Sequence, residues 1–326
     1  MSFSKPILAE KRPRVVATSV YDWEKFTLMY YLKGALAGGI CCGLTHGALT
    51  PVDVVKTRMQ LNPEAYNTGM VGGFKKVIAE EGAGALLTGL APTAVGYFIQ
   101  GSIKFGGVEV FKIKFAKSLG DQSAWDNKTS IYLASAAMAE FIADVFLCPL
   151  EACRIRLVSE PTFADSLGAT AARLMKEEGM VNGFYSGFVP MLFKQVPYTM
   201  AKFAVQGAVQ DAMYKSGGVD PSTASGGTKM SIALTSGTIA GVVAAIISHP
   251  ADSLLSKVNK KGAGGSGSMA SRLMNITKET GLMTLCTQGL AARCVMIGTL
   301  TAGQFAVFDT VMDALGASKF HFHAPH

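Results

Sequence analysis

Six apolar stretches of membrane length alternate with polar segments along this chain. The stretches run near residues 30–58, 89–116, 128–157, 187–214, 229–257 and 289–315. Each is longer than the ~20 apolar residues that a helix needs to cross a bilayer. Polar segments near 70–81, 166–178 and 269–279 have the pattern of short amphipathic helices that lie at a membrane face. The pattern predicts an all-α membrane protein with six transmembrane helices.

Two sequence markers recur three times with a common period of about 100 residues. The first is a proline followed by an acid two residues later and a base three residues after that. It begins at Pro51 and Pro149 and returns in weakened form at Pro250. The second is an acid shortly before a glycine, ahead of the second, fourth and sixth apolar stretches. We therefore divide the chain into a polar segment 1–28, three repeats 29–120, 121–222 and 223–316, and a His-containing tail 317–326.

The composition excludes most functions of soluble proteins. Of 326 residues, 49% are hydrophobic and only 16% are charged, whereas soluble domains average roughly 25% charged residues. The net charge of +7 is therefore assigned to loops that face lipid headgroups, and not to a nucleic-acid-binding surface. The six cysteines have no metal-ligand or redox spacing, and no catalytic triad or nucleotide fingerprint occurs. We expect no enzymatic activity, no metal and no cofactor.

The triplicated motif resembles that of the mitochondrial carrier family, over about residues 30–316. Five segments are most similar to the phosphate-transporting members of that family: 42–46, 100–106, 197–203, 248–253 and 296–302. The resemblance implies six helices around a cavity that opens alternately to the two sides of the mitochondrial inner membrane. It also implies a monomer that moves inorganic phosphate into the matrix with a proton, or in exchange for hydroxide. The alternatives are a carrier of sulfate, a dicarboxylate or a copper complex, and a non-transporting membrane protein with the same fold.

The charged residues of the repeated motif are the first candidate site. An ionised side chain at membrane depth costs ~2.5–3.5 kcal/mol, so it normally faces a cavity and finds a partner. The resemblance implies that the acid of one repeat pairs with the base of the next and closes the matrix side. This gate would pair Asp53 with Arg154 and Asp252 with Lys56, whereas Glu151 lacks a partner because a leucine replaces the third base. In the alternative interpretation, these charges only hold helices together.

Titratable side chains at matched depths form the second candidate site. His46 and Asp144 each lie five residues before a motif proline, so repeat symmetry puts them at the same depth. Glu140 lies one turn from Asp144, and Glu151 two turns beyond it, on one face of the helix. A carboxyl group in a low-dielectric site holds a proton more readily, and histidine titrates between about pH 5 and 8. We predict that Glu140 and His46 couple transport to protons, supported by Asp144 and Glu151.

The second, fourth and sixth helices supply the candidate substrate contacts. Aligned on Gly89, Gly187 and Gly289, they match Gly96 with Lys194 and Met296, Tyr97 with Gln195 and Ile297, and Lys104 with Lys202 and Gln304. The resemblance implies that the first two sets are the contact points midway through the membrane. One cation in three positions favours a small anion, with Lys194 and Gln195 as its main contacts. Lys104 and Lys202 would draw the anion inward, with further contacts from Gln100, Tyr97, Tyr198 and Thr45.

The gate on the opposite, outer side is incomplete in the sequence. The family's motif of an acid and a base three residues apart remains only as Glu109 and Lys112, with Asp309 as a second acid. Gln210 and Met312 stand in place of the other two bases. The sequence therefore predicts a resting state that is open to the cytoplasm. The histidine-containing tail is expected to be exposed.

Overall fold

The computed structural model describes residues 21–61, 64–66, 69–160, 162–221, 223–258 and 269–322. The long helices are α1 (Leu28–Leu61), α2 (Leu90–Leu119), α3 (Lys128–Ser159), α4 (Phe188–Gly217), α5 (Gly226–Val258) and α6 (Leu290–Ala314). Three connecting helices, Gly69–Glu81, Leu167–Glu177 and Met269–Thr280, join α1 to α2, α3 to α4 and α5 to α6. No β-strand occurs in the described residues, which confirms the all-α class.

The six long helices form a closed ring. Each helix packs against the next one in the chain, and α6 packs back against α1. We call the end of the ring that carries the three connecting helices the connecting-helix end. The opposite end, where α1 begins and α6 ends, is called the terminus end. Pro51, Pro149 and Pro250 lie inside α1, α3 and α5, each of which continues past its proline towards the connecting-helix end.

Four of the six long helices are long and apolar enough on their own to cross a membrane. These spans are Leu28–Met59, Lys128–Ser159, Gly226–Leu254 and Arg293–Ala314. The α2 region meets the same criterion only together with the connecting helix before it, across a bend of 119°. Helices α2 and α4 are less apolar because they carry buried polar side chains, namely Lys104, Glu109 and Lys112 on α2 and Lys202, Gln206 and Gln210 on α4. These side chains place polar groups in the interior of the ring.

Glycines let neighbouring helices approach to backbone contact, as small residues do in membrane bundles. A Cβ atom on Gly38 of α1 would lie 2.4 Å from the carbonyl oxygen of Gly101 in α2. Between α5 and α6, a Cβ atom on Gly241 would lie 2.6 Å from the carbonyl oxygen of Ile297. Gly34 lies four residues before Gly38, on the same face of α1. Nothing lies within 4 Å of a Cβ atom built on Gly34, however. Spacing alone does not identify the contact glycines.

We predict that Gly101→Ala destabilises the protein, whereas Gly34→Ala does not. The added methyl group at position 101 would lie 2.3 Å from the carbonyl oxygen of Gly38, so the helices must move apart. Overpacking of this kind costs about 1–3 kcal/mol, whereas alanine in an open helical position gains up to ~1 kcal/mol over glycine. Thermal unfolding of the two purified variants in detergent measures the difference. Equal melting temperatures would contradict the assignment of this contact.

Candidate functional site

Glu140 lies at the centre of a buried polar cluster that joins three helices. Its carboxylate, on α3, accepts hydrogen bonds of 2.8 Å from Gln100 Nε2 on α2 and from Thr199 Oγ1 on α4. Lys104 Nζ, one turn from Gln100, lies 3.3 Å from the same carboxylate. All four side chains are buried. Lys104 and Glu140 therefore form an ion pair in the interior of the ring, with two further donors on the acid.

Asp144 lies one turn from Glu140 and has a different environment. Its carboxyl group is buried, yet neither oxygen has a hydrogen-bond partner in the described part of the chain. Gln100 Oε1 is likewise buried without a partner. An ionised group buried without a partner costs several kcal/mol. The cluster around Glu140 thus adjoins a second carboxyl group whose capacity for hydrogen bonding is unused.

Lys202 is a fully buried cation that forms no ion pair among the described residues. Its Nζ donates to Gln304 Oε1 on α6, and Gln304 Nε2 in turn lies 3.4 Å from Thr45 Oγ1 on α1. Four aromatic rings surround the ammonium group, with centroids 5.1–5.9 Å away: Phe105, Tyr198, Phe203 and Phe305. Amide and cation–π contacts replace a counter-charge here. This site is electrostatically suited to an anion.

His46 and Tyr97 form a stacked pair on α1 and α2. Their ring centroids are 3.6 Å apart and their planes differ by 7°. Both side chains are half-buried. The hydroxyl oxygen of Tyr198, on α4, lies 3.3 Å from Thr301 Oγ1 on α6. The interior of the ring therefore presents hydroxyl, imidazole and amide groups from four helices, α1, α2, α4 and α6, around the two lysines.

Charged residues at the connecting-helix end form one of the two pairs predicted from the sequence. Arg154 NH1 lies 3.8 Å from Asp53, the expected partner. Arg154 also binds Glu151 through two hydrogen bonds of 2.6 and 2.9 Å, so Glu151 is not without a partner. The two residues are three positions apart and share a helix face. The predicted gate pairs join residues of different repeats, so they do not include this contact within α3.

Asp252 has other partners than the predicted Lys56. Its carboxylate binds Arg293 of α6 and lies 3.8 Å from Lys194 Nζ of α4, whereas Lys56 forms no ion pair within the described ranges. The guanidinium of Arg293 also donates to Ser248, so its planar group contacts two residues of α5 at once. The predicted Asp252–Lys56 pair is therefore absent here. Lys194 is 40% exposed, and the adjacent Gln195 is half-buried.

The terminus end is closed, contrary to the prediction of an opening on that side. Glu109 accepts hydrogen bonds from Tyr30 Oη at 2.7 Å and from the Phe320 amide at 3.0 Å, and it also pairs with Lys112. Lys112 donates to the Phe320 carbonyl oxygen at 2.9 Å. Asp309 pairs with Lys319 at 2.8 Å. Beneath these groups lies an aromatic layer of Phe105, Phe203, Phe305 and Phe308.

Residues 315–322, which we call the tail segment, are responsible for this closure. Phe320 and Phe322 are only 3% and 5% exposed, so the expected exposed tail is wrong for them. His321 Nδ1 lies 3.7 Å from Asp211, while His323 and His326 lie outside the described residues. No metal-binding cluster of His, Cys, Asp and Glu occurs among the described residues. Sequence reasoning missed Lys319 because the third repeat predicted from the sequence ends at residue 316.

Comparisons with known proteins agree over almost the whole chain. The profile of a family described as "Mitochondrial carrier protein" matches residues 28–119, 126–217 and 227–319. The chain is 47% identical over 289 residues to "Mitochondrial substrate carrier family protein N" of Dictyostelium discoideum, covering 88% of this chain and 95% of that protein. It is 43% identical to "Phosphate carrier protein, mitochondrial" of Caenorhabditis elegans, covering 89% and 83%. It is 40% identical to "Solute carrier family 25 member 3" of Homo sapiens, covering 97% and 84%.

Proposed function

The chain belongs to the mitochondrial carrier family, and from that premise we propose that it carries inorganic phosphate across the mitochondrial inner membrane together with a proton. Relatives at 42% and 43% identity are named as mitochondrial phosphate carriers, which supports phosphate as the substrate. As a carrier it is a transporter and not an enzyme. Alternating access moves the phosphate into the matrix. The observation that carries the proposal is the arrangement of charged side chains around Lys202.

Lys202, Lys104 and Glu140 are the charged core of the proposed site. With all three groups ionised, their sum is one positive charge, which an entering monoanion neutralises. Lysine serves phosphate as a point charge, and Thr199, Tyr198 and Gln304 lie near the two ammonium groups to supply hydrogen bonds. Burial strengthens these interactions because the local dielectric is low. The site therefore suits a small, compact anion.

Glu140 links proton binding to phosphate binding in this proposal. A proton on its carboxylate removes the counter-charge of Lys104, so that two ammonium groups become available to the anion. By linkage, phosphate bound at the two lysines favours the protonated acid to the same extent. Asp144, with two unpartnered oxygens one turn away, provides a second place for the proton. His46, stacked on Tyr97, is assigned to proton transfer between the cavity and these acids.

The two gates support the assignment of one stage of the proposed transport cycle. We place the connecting-helix end at the matrix, following the family. There the Asp53–Arg154 and Lys194–Asp252 separations are both 3.8 Å, and Lys194 is substantially exposed. At the terminus end the Glu109–Lys112 pair is buried. The arrangement corresponds to a carrier closed towards the cytoplasmic side, in which the Asp252–Lys56 pair of the matrix gate is not formed.

Exchange in proteoliposomes tests the substrate. Purified protein in phosphate-loaded vesicles is expected to take up labelled phosphate, and excess unlabelled phosphate should suppress the uptake. Excess sulfate or dicarboxylate should suppress it far less, because phosphate carries protons at neutral pH that it can donate to Glu140, whereas sulfate does not, and a dicarboxylate is larger. Preferential exchange of sulfate, a dicarboxylate or a copper complex would replace phosphate as the substrate. No exchange of any of them by protein with a cooperative melting transition would favour the non-transporting alternative.

A further inference from the structure

We propose that the tail segment is a working part of the terminus gate, in which Lys319 is the base that the three repeats do not supply. The inference rests on the proposed alternating access, and it adds a gate residue from outside the repeated acid–base motif. The repeats place one complete acid–base pair at this end, Glu109 and Lys112. They leave Asp309 of α6 as an acid without a base on the neighbouring helices.

Lys319 fills this gap by joining two helices of the ring. Its Nζ lies 2.8 Å from Asp309 Oδ1 on α6 and 3.0 Å from Gln210 Oε1 on α4. Both charged side chains are mostly buried, at 11% and 13% exposure. Gln210 is the residue that stands where the second repeat would have its base, and here it accepts a hydrogen bond from the base of the tail segment. A buried ion pair of this kind is costly to break.

Phe320 ties the same segment to the other side of the gate. Its amide donates to Glu109 and its carbonyl oxygen accepts from Lys112, so one peptide segment bridges the only complete acid–base pair of the motif that the repeats supply. Its ring packs against Tyr21, Trp23 and Phe26, which lie just before α1 in the chain. The tail segment therefore contacts α2, α4, α6 and the start of the described chain at once.

The end of α6 directs the chain back over the ring. Gly316 has a φ of 66°, in the left-handed region that glycine adopts without strain. The amides of Gly316 and Ala317 donate to the carbonyl oxygens of Asp313 and Met312, which ends the helix with a reversal. Because the segment lies across the end of the ring and binds three of its helices, the helices cannot separate there until it leaves. Opening to the cytoplasmic side thus requires release of Lys319 and Phe320.

Tryptic cleavage after Lys319 reports this release in the otherwise native chain. We expect Asp309→Asn to speed cleavage at Lys319 about tenfold, because proteolysis follows the population of the open segment. Asp313→Asn is the matched control: Asp313 lies one turn further along α6 and pairs with Lys229 at 3.1 Å outside the gate. Mass spectrometry of the released C-terminal peptide gives the rates. Cleavage of the Asp309 variant no faster than that of the Asp313 variant would overturn the proposal.

Exchange measurements separate this proposal from the proposed function. Lys319→Gln should slow phosphate exchange several-fold, Lys319→Arg should restore it, and Lys229→Gln should leave it unchanged. Full activity of Lys319→Gln would show that the segment is no part of the gate. If the unmodified protein exchanges no phosphate, the proposed function fails, while the cleavage comparison still decides whether Lys319 and Asp309 lock the segment.

Discussion

Glu140→Gln is expected to abolish the acceleration of phosphate uptake by an alkaline vesicle interior while leaving phosphate–phosphate exchange measurable. Glutamine has the shape of the protonated acid, so Lys104 and Lys202 stay available to phosphate. The empty carrier, however, must then cycle with two buried cations and no counter-charge. Leaving a buried charge uncompensated costs about 3–5 kcal/mol, which corresponds to a loss of net uptake of about 100-fold or more.

The contrast between net uptake and exchange is the internal control for this variant. A protein that had lost its fold would lose both activities, whereas loss of proton coupling removes only net uptake. Radiolabelled phosphate measures both in one preparation of proteoliposomes, with and without internal phosphate. Uptake by Glu140→Gln that still rises with an alkaline interior would remove Glu140 from the coupling mechanism and leave Asp144 and His46 as candidates.

Lys202→Met is expected to abolish uptake and exchange alike without destabilising the protein. Lys202 is buried with no ion pair among the described residues, so its ammonium group is retained at a cost in folding free energy. Replacing such a charge with an apolar side chain of similar volume removes a desolvation penalty of several kcal/mol, which offsets the lost contacts. Lys202 is the cation of this cluster that has no counter-charge. Without it, an anion must bind beside the neutral Lys104–Glu140 pair, and this cost should lower transport about 100-fold or more.

Lys104→Met is the matched variant for stability. It removes the counter-charge of the fully buried Glu140, and breaking a buried pair in this way costs about 3–5 kcal/mol. Thermal unfolding in detergent should therefore show a clearly lower melting temperature for Lys104→Met than for Lys202→Met. The reverse order would mean that Lys202 is held by a partner that matters more for folding than the contact between Lys104 and Glu140.

The central cluster could be predicted from the sequence because repeat symmetry applies to it. Lys104, Lys202 and Gln304 occupy one position in three repeats, and the structure brings Lys202 and Gln304 into direct contact. Glu140 is predictable because it is a titratable side chain on the face of α3 that also carries Asp144 and Glu151. Symmetry could not assign its partner Thr199, whose neutral hydroxyl carries no charge signal.

The gates were predicted less well because their partners break the symmetry. Arg293 occupies a position that is Thr93 and Met191 in the other repeats, so no repeat comparison marks it as a partner of Asp252. Lys319 lies three residues beyond residue 316, where the third repeat predicted from the sequence ends. The expected opening at the terminus end followed from counting charges on the repeats alone. Main-chain groups of Phe320 complete that gate, and a sequence pattern does not show where main-chain donors point.

Proton-coupled phosphate transport is tested most directly by following phosphate and protons together in vesicles that contain the unmodified protein. Labelled phosphate gives the uptake, and an internal pH indicator gives the proton flux. We predict that an alkaline interior accelerates phosphate uptake and that the interior acidifies as phosphate enters. Phosphate uptake that is indifferent to the imposed pH gradient would contradict the coupling through Glu140.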